Sequence, residues 1–84
     1  MTLLWPNGQL ISVTSDGLAA PKTFTWQGRL HEVQQIAKRW REDQGWWSQR
    51  VWREYFKVST HTGLLVIIYH DLLTETWYLQ RLYD

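Results

Sequence analysis

Apolar and polar residues alternate at strand spacing over most of this chain. Leu10 to Thr14 is rich in β-branched residues and sits between Gly8 and the Asp16-Gly17 turn signal, which predicts a short strand. Behind Pro21, Thr23-Phe24-Thr25-Trp26 alternates as a half-buried strand does. Gln27-Gly28 then forms a tight turn, and Arg29-Leu30-His31-Glu32-Val33 alternates again after the reversal. Trp52 to Thr60 alternates, Thr60-His61-Thr62-Gly63 reads as a type I turn with Gly63 in the left-handed conformation, and Leu64 to His70 is apolar and β-branched. With Thr60 opposite Leu64, Val58 faces Val66, Phe56 faces Ile68, Glu54 faces His70 and Arg53 faces Asp71. This register joins apolar to apolar and leaves two compatible polar pairs at the open end. A loop over residues 72–76 leads to a last strand, Trp77 to Tyr83.

Residues 33–42 carry two patterns. Val33, Ile36, Ala37 and Trp40 have the i, i+3, i+4, i+7 spacing of an apolar helix face, yet Ile36, Lys38 and Trp40 alternate as a strand would after a bulge near Gln34-Gln35. The β-rich surroundings favour a long bent strand, with a short helix over 33–42 as the alternative. The expectation is an all-β fold: a strongly twisted antiparallel meander of five to six strands, curled toward a small SH3-like barrel. It forms a single domain over 1–84, with an N-terminal strand and loop over 1–21 and the core sheet over 22–84.

Composition sharpens this picture. Seven of the 84 residues are tryptophan, more indole than so small an interior readily hides. Cysteine is absent, which removes disulfides and thiolate chemistry and fits a cytoplasmic protein. No segment approaches the roughly 20 apolar residues of a membrane-spanning helix, so no membrane association is expected. The formal net charge is only +1, but residues 38–57 carry +3 while the remainder carries −2. The basic segment is also the segment holding Trp40, Trp46, Trp47 and Trp52.

Catalytic groupings are sparse. His61 at a hairpin tip and His70 far down the next strand stand too far apart to share a metal ion, and Ser12, Ser15, Ser48 and Ser59 lack both a glycine-flanked elbow and an evident base. The five glycines are isolated in turns, with no phosphate loop among them. The expectation is a protein without enzymatic activity, cofactor or metal. The remaining feature is the interleaving of Trp46 and Trp47 with Arg41, Arg50 and Arg53. Indoles suit unpaired bases and guanidinium groups suit phosphates, and Tyr55 and Lys57, on the face of Arg53, extend that surface. The competing expectation is that Trp40, Trp47 and Trp52 plug the open end of the barrel.

The series Phe24-x-Trp26-x-Gly28-Arg29-x-His31-x-Val33, then Arg39-Trp40-x-Glu42, Gly45-Trp46-Trp47, Arg53-Glu54-Tyr55-Phe56-x-Val58 and Trp77-x-Leu79 with Leu82, resembles a small bacterial domain of unknown function. That domain looks like the C-terminal tail of the Y-family DNA-polymerase-like mutagenesis subunit, and similar stand-alone proteins are associated with error-prone polymerases. The chain departs from it in lacking a polymerase portion and in carrying Glu75 where the last hairpin loop would have glycine. The resemblance implies a noncatalytic accessory module of DNA repair or translesion synthesis that contacts single-stranded or primer-template DNA. The alternative is a protein-interaction module gripping a translesion polymerase or recombinase through the same aromatic patch, and a homodimer burying that patch is a third arrangement.

Overall fold

Six antiparallel strands follow one another around a closed barrel in the computed structural model, which describes residues 2–17, 20–46 and 49–83. They are β1 (Leu3–Ser15), β2 (Pro21–Trp26), β3 (Arg29–Trp46), β4 (Gln49–Thr60), β5 (Leu65–Asp71) and β6 (Thr76–Tyr83). Each strand pairs with the next, and β6 returns to β1. Inward-facing Phe24, Phe56, Val58, Val66, Ile68 and Leu79 are fully buried and form the centre of the core. Closure lets so short a chain bury these side chains while satisfying strand edges that an open sheet would leave unpaired.

The β4–β5 register is the one the alternation predicts: Val58 opposes Val66, Phe56 opposes Ile68, Glu54 opposes His70 and Arg53 opposes Asp71. The intervening turn is closed by the Gly63 N–H donating to the Thr60 carbonyl at 3.1 Å, with Gly63 at φ 89°. At the β2–β3 turn, Gln27 and Gly28 have φ of 51° and 72°, the paired left-handed geometry that matches strand twist in a two-residue hairpin.

Residues 33–42 are strand, not helix. Two irregularities in the β3–β4 pairing, between Val33 and Gln35 and between Ile36 and Lys38, each insert one residue. Val33, Ile36 and Arg39 therefore face the same way, opposite Thr60, Val58 and Phe56. A bulge at every third residue reproduces helical spacing in a strand. β1 starts earlier than the pattern predicts, because Trp5 to Gly8 loop out between Leu4, which pairs with Arg81, and Gln9, which pairs with Leu79. Pro6 and Gly8 break the alternation there.

β3 and β4 also outrun their neighbours. β4 pairs with β5 only as far as Arg53, whereas the β3–β4 ladder continues to Trp46 opposite Gln49, making a two-stranded arm at one end of the barrel.

Candidate functional site

The outer face of the β3–β4–β5–β6 sheet carries a row of four aromatic residues. Trp40, Tyr55, Tyr69 and Tyr78 are successive Cα partners across the four strands, and their ring centroids are spaced 5.2, 5.2 and 5.1 Å apart. Such cross-strand contacts suit aromatic quadrupoles and stiffen the sheet. The β1 loop-out closes over one end. The Tyr69 hydroxyl donates to the Asn7 carbonyl at 3.3 Å, and a Cβ added to Gly8 would come within 2.5 Å of that hydroxyl. Tyr55 and Tyr69 are consequently only 4% and 2% exposed and form a second small core outside the barrel.

Beside this row runs another, Lys38, Lys57, Ile67 and Arg81, again as successive partners. Its cations lean on rings. The Lys38 ammonium lies 5.3 Å from the Trp40 centroid and the Lys57 ammonium 5.0 Å from that of Tyr83, while the Arg81 guanidinium is 5.7 Å from Tyr83 and donates to its hydroxyl at 3.4 Å. No carboxylate pairs with Lys38, Lys57 or Arg81 among the described residues, and the buried Nε of Arg81 has no hydrogen-bond partner. On the other side of the aromatic row, Arg53 stacks 4.7 Å from Tyr69 and donates to the Tyr55 hydroxyl at 3.4 Å. That bond raises the pKa of Arg53 against the opposing effect of burial, so its charge is secure.

The inner side of the same strands treats its charges differently. Glu54, only 6% exposed, accepts from Arg39 and, at 2.7 Å, from Arg41. Burial pushes its carboxyl upward, but hydrogen bonds and charge from Arg41 and Arg39 outweigh this and hold it below the ordinary carboxylate range. The Arg39 guanidinium also covers Phe56 at 5.1 Å. Next to Glu54, His70 stacks on Trp77 at 4.4 Å, and burial lowers its pKa.

At the opposite end of the barrel, Trp26, Gln27, Gly28, Arg29, His31 and Leu64 line an open cleft of about 450 Å³. His31, 4% exposed, stacks on Phe24 and bonds Thr62 Oγ1 through Nδ1 at 2.8 Å.

The residues singled out in the sequence thus fall into three groups. Arg53, Tyr55 and Lys57 lie on the outer face, where Tyr55 is too buried to stack on a ligand and instead supports Arg53. Arg41 and Arg50 belong to the other face of the β3–β4 ladder. Arg41 is held by Glu54, while Arg50 covers Trp52 at 4.8 Å and pairs with Asp43 at 3.5 Å. Trp47 and the side chain of Trp46 lie outside the described residues. Trp40 does not plug the barrel: the bulge before Lys38 turns it outward onto Tyr55. Lys38 and Arg81 were missed because their alignment with Lys57 depends on irregularities in β3 and β6 that alternation does not reveal. No group of three or more His, Asp or Glu side chains among the described residues could hold a metal ion, and no helix is long and apolar enough to cross a membrane.

These features define a small closed antiparallel barrel with a projecting hairpin and one cation-bearing outer face. The chain belongs to the family described as domain of unknown function DUF6504, whose model matches residues 7–84. No curated protein and no solved structure matches it.

Proposed function

We propose that this protein is a noncatalytic accessory module that binds single-stranded or distorted DNA in repair or translesion synthesis. The observation carrying this reading is the row formed by Lys38, Lys57 and Arg81, three cations without carboxylate partners among the described residues, on a sheet face stiffened by stacked rings. Phosphates displace condensed counterions when they meet such a row, which gives affinity without sequence selection. Arg53 supplies a fourth cation across the aromatic row, and the sequence offers Trp46 and Trp47 as candidate stacking groups for unpaired bases. The resemblance to the polymerase-associated tail supplies the DNA context.

The test is a titration of intrinsic tryptophan fluorescence with single-stranded oligonucleotides at several salt concentrations. Binding should weaken steeply with salt, at about −0.7 in log affinity against log salt for each phosphate engaged. Reversing the charges of Lys57 and Arg81 together should flatten that slope. Absence of any oligonucleotide binding at low salt defeats the proposal.

A second reading has its own support. Beyond Glu32, the edge of β3 away from β4 is unpaired among the described residues, so a partner protein such as a polymerase or recombinase has backbone to add a strand to. Partner capture that survives the same double charge reversal would favour this reading over DNA.

A further inference from the structure

The cleft at the end of the barrel opposite the arm has the chemistry of a ligand site separate from the outer face. Its organising group is His31, whose ring is fixed by a short chain of hydroxyls. The Leu64 N–H donates to Thr60 Oγ1 at 3.1 Å, Thr60 Oγ1 lies 2.7 Å from Thr62 Oγ1, and Thr62 Oγ1 lies 2.8 Å from His31 Nδ1. Thr60 is buried and accepts from Leu64, and among the described residues the Thr62 oxygen is the acceptor within reach of its own proton. In the order that satisfies every group, Thr62 donates its proton to His31, which makes Nδ1 the acceptor and places the ring proton on Nε2. Burial and the nearby Arg29 charge both lower the pKa of His31, so the ring stays neutral while remaining a donor.

The other walls match that donor. Arg29 is exposed and has no ion-pair partner among the described residues. Trp26 contributes an indole that is only half buried, held in place edge-on by Trp5 at 6.0 Å. A guanidinium and an imidazole N–H stand for hydrogen-bonded recognition of an oxyanion, and an indole beside them provides a surface for a flat ring.

We infer that this cleft binds a flat ring carrying an oxyanion, with Arg29 and His31 Nε2–H holding the anionic group and Trp26 stacking on the ring. The oxyanion is a phosphate or a carboxylate, and the two are separated by the choice of probe.

The experiment is a chemical-shift titration of the ¹⁵N-labelled protein with thymidine 5′-monophosphate, benzoate and unphosphorylated thymidine, read at the Gly28 and Arg29 amides and the His31 ring. The ring nitrogens of the free protein should show the Nε2–H tautomer. One or both anionic probes should shift these signals saturably, the stronger of the two naming the oxyanion, and thymidine should bind about tenfold or more weakly for want of the charge-assisted bonds. Arg29→Gln, an exposed substitution, should weaken the anionic probe by about the same factor. Thr62→Val should release the tautomer without removing the ring, so the design does not depend on a His31 variant folding. An Nδ1–H tautomer in the unaltered protein, thymidine binding as well as its monophosphate, or no saturable shift with any probe would each overturn the inference. Arg29→Gln should leave salt-dependent oligonucleotide binding at the Lys57 face intact, so failure of either proposal is visible separately.

Discussion

Lys38 and Lys57 stand directly opposite one another across β3 and β4, like charges in a position where sheets ordinarily place opposite ones. Neighbouring rings give each ammonium some relief, but the pairing itself is unfavourable. Such a cost is expected where a surface is kept for a polyanion. Lys57→Glu should therefore stabilise the fold by about 0.2–1 kcal/mol, through attraction to Lys38, while weakening oligonucleotide binding. Urea denaturation and a salt-dependent titration on the same variant check both halves. A variant that gains stability and keeps full DNA affinity would remove Lys57 from the binding face.

Glu54 links the barrel to the arm, because its two arginine partners lie on β3 where the arm departs. Glu54→Gln should cost about 1–3 kcal/mol through loss of the charge-assisted bonds. The folded pKa is depressed, so this contribution is complete above the ordinary carboxylate range and disappears as pH falls through the lowered folded value. The stability gap between the native protein and the variant, followed by urea midpoint, should narrow on acidification.

His31 and His70 act in a different pH window. Burial lowers both pKa values, so on acidification the unfolded chain takes up protons before the folded one does. Stability should be level at pH values above the free imidazole pKa and fall as pH drops through it toward the folded values. NMR titration of the ring protons should give midpoints for both residues below that of a histidine in an unfolded peptide.

Two positive-φ positions invite opposite substitutions. Glu75, at φ 57° in the exposed β5–β6 loop, occupies the left-handed region that suits glycine, and Glu75→Gly should stabilise by roughly 1 kcal/mol. Gly8, at φ 78°, has Tyr69 and Tyr78 pressed against the space where a side chain would begin. Gly8→Ala should destabilise by about 2 kcal/mol or more, from backbone strain added to the displacement of the aromatic row. Thermal melts of the two variants should move in opposite directions.

The β4–β5 hairpin was legible from its residues because Phe56, Val58, Val66 and Ile68 alternate without interruption, and one correct turn at Gly63 then fixes every partner. β3 was legible as a strand but not in its facing. The inserted residue at Gln34 alone would carry Lys38 and Trp40 inward with Ile36; the second, at Ala37, reverses this, so Trp40 goes outward to Tyr55 and Lys38 falls into line with Lys57. The His31 cleft had no sequence signal beyond its alternating strand. Its hydroxyl chain brings Thr60 and Thr62 from the β4–β5 turn, about thirty positions away, onto the β2–β3 hairpin. That juxtaposition comes from the far end of the long β3–β4 ladder, where Val33 pairs with Thr60 and the His61 N–H donates to the Glu32 carbonyl, which local pattern does not encode.

The border of β3 that is unpaired among the described residues also bears on whether copies of this chain would join edge to edge. Near the barrel, its two inserted residues interrupt the even spacing of backbone donors and acceptors that a neighbouring molecule would need in order to zip along it. Where the border runs straight again, every residue from Lys38 to Asp43 except Trp40 is charged. Strand-to-strand docking of one molecule's border on another's is thereby opposed by the interrupted spacing and by the water that charged side chains hold at the edge.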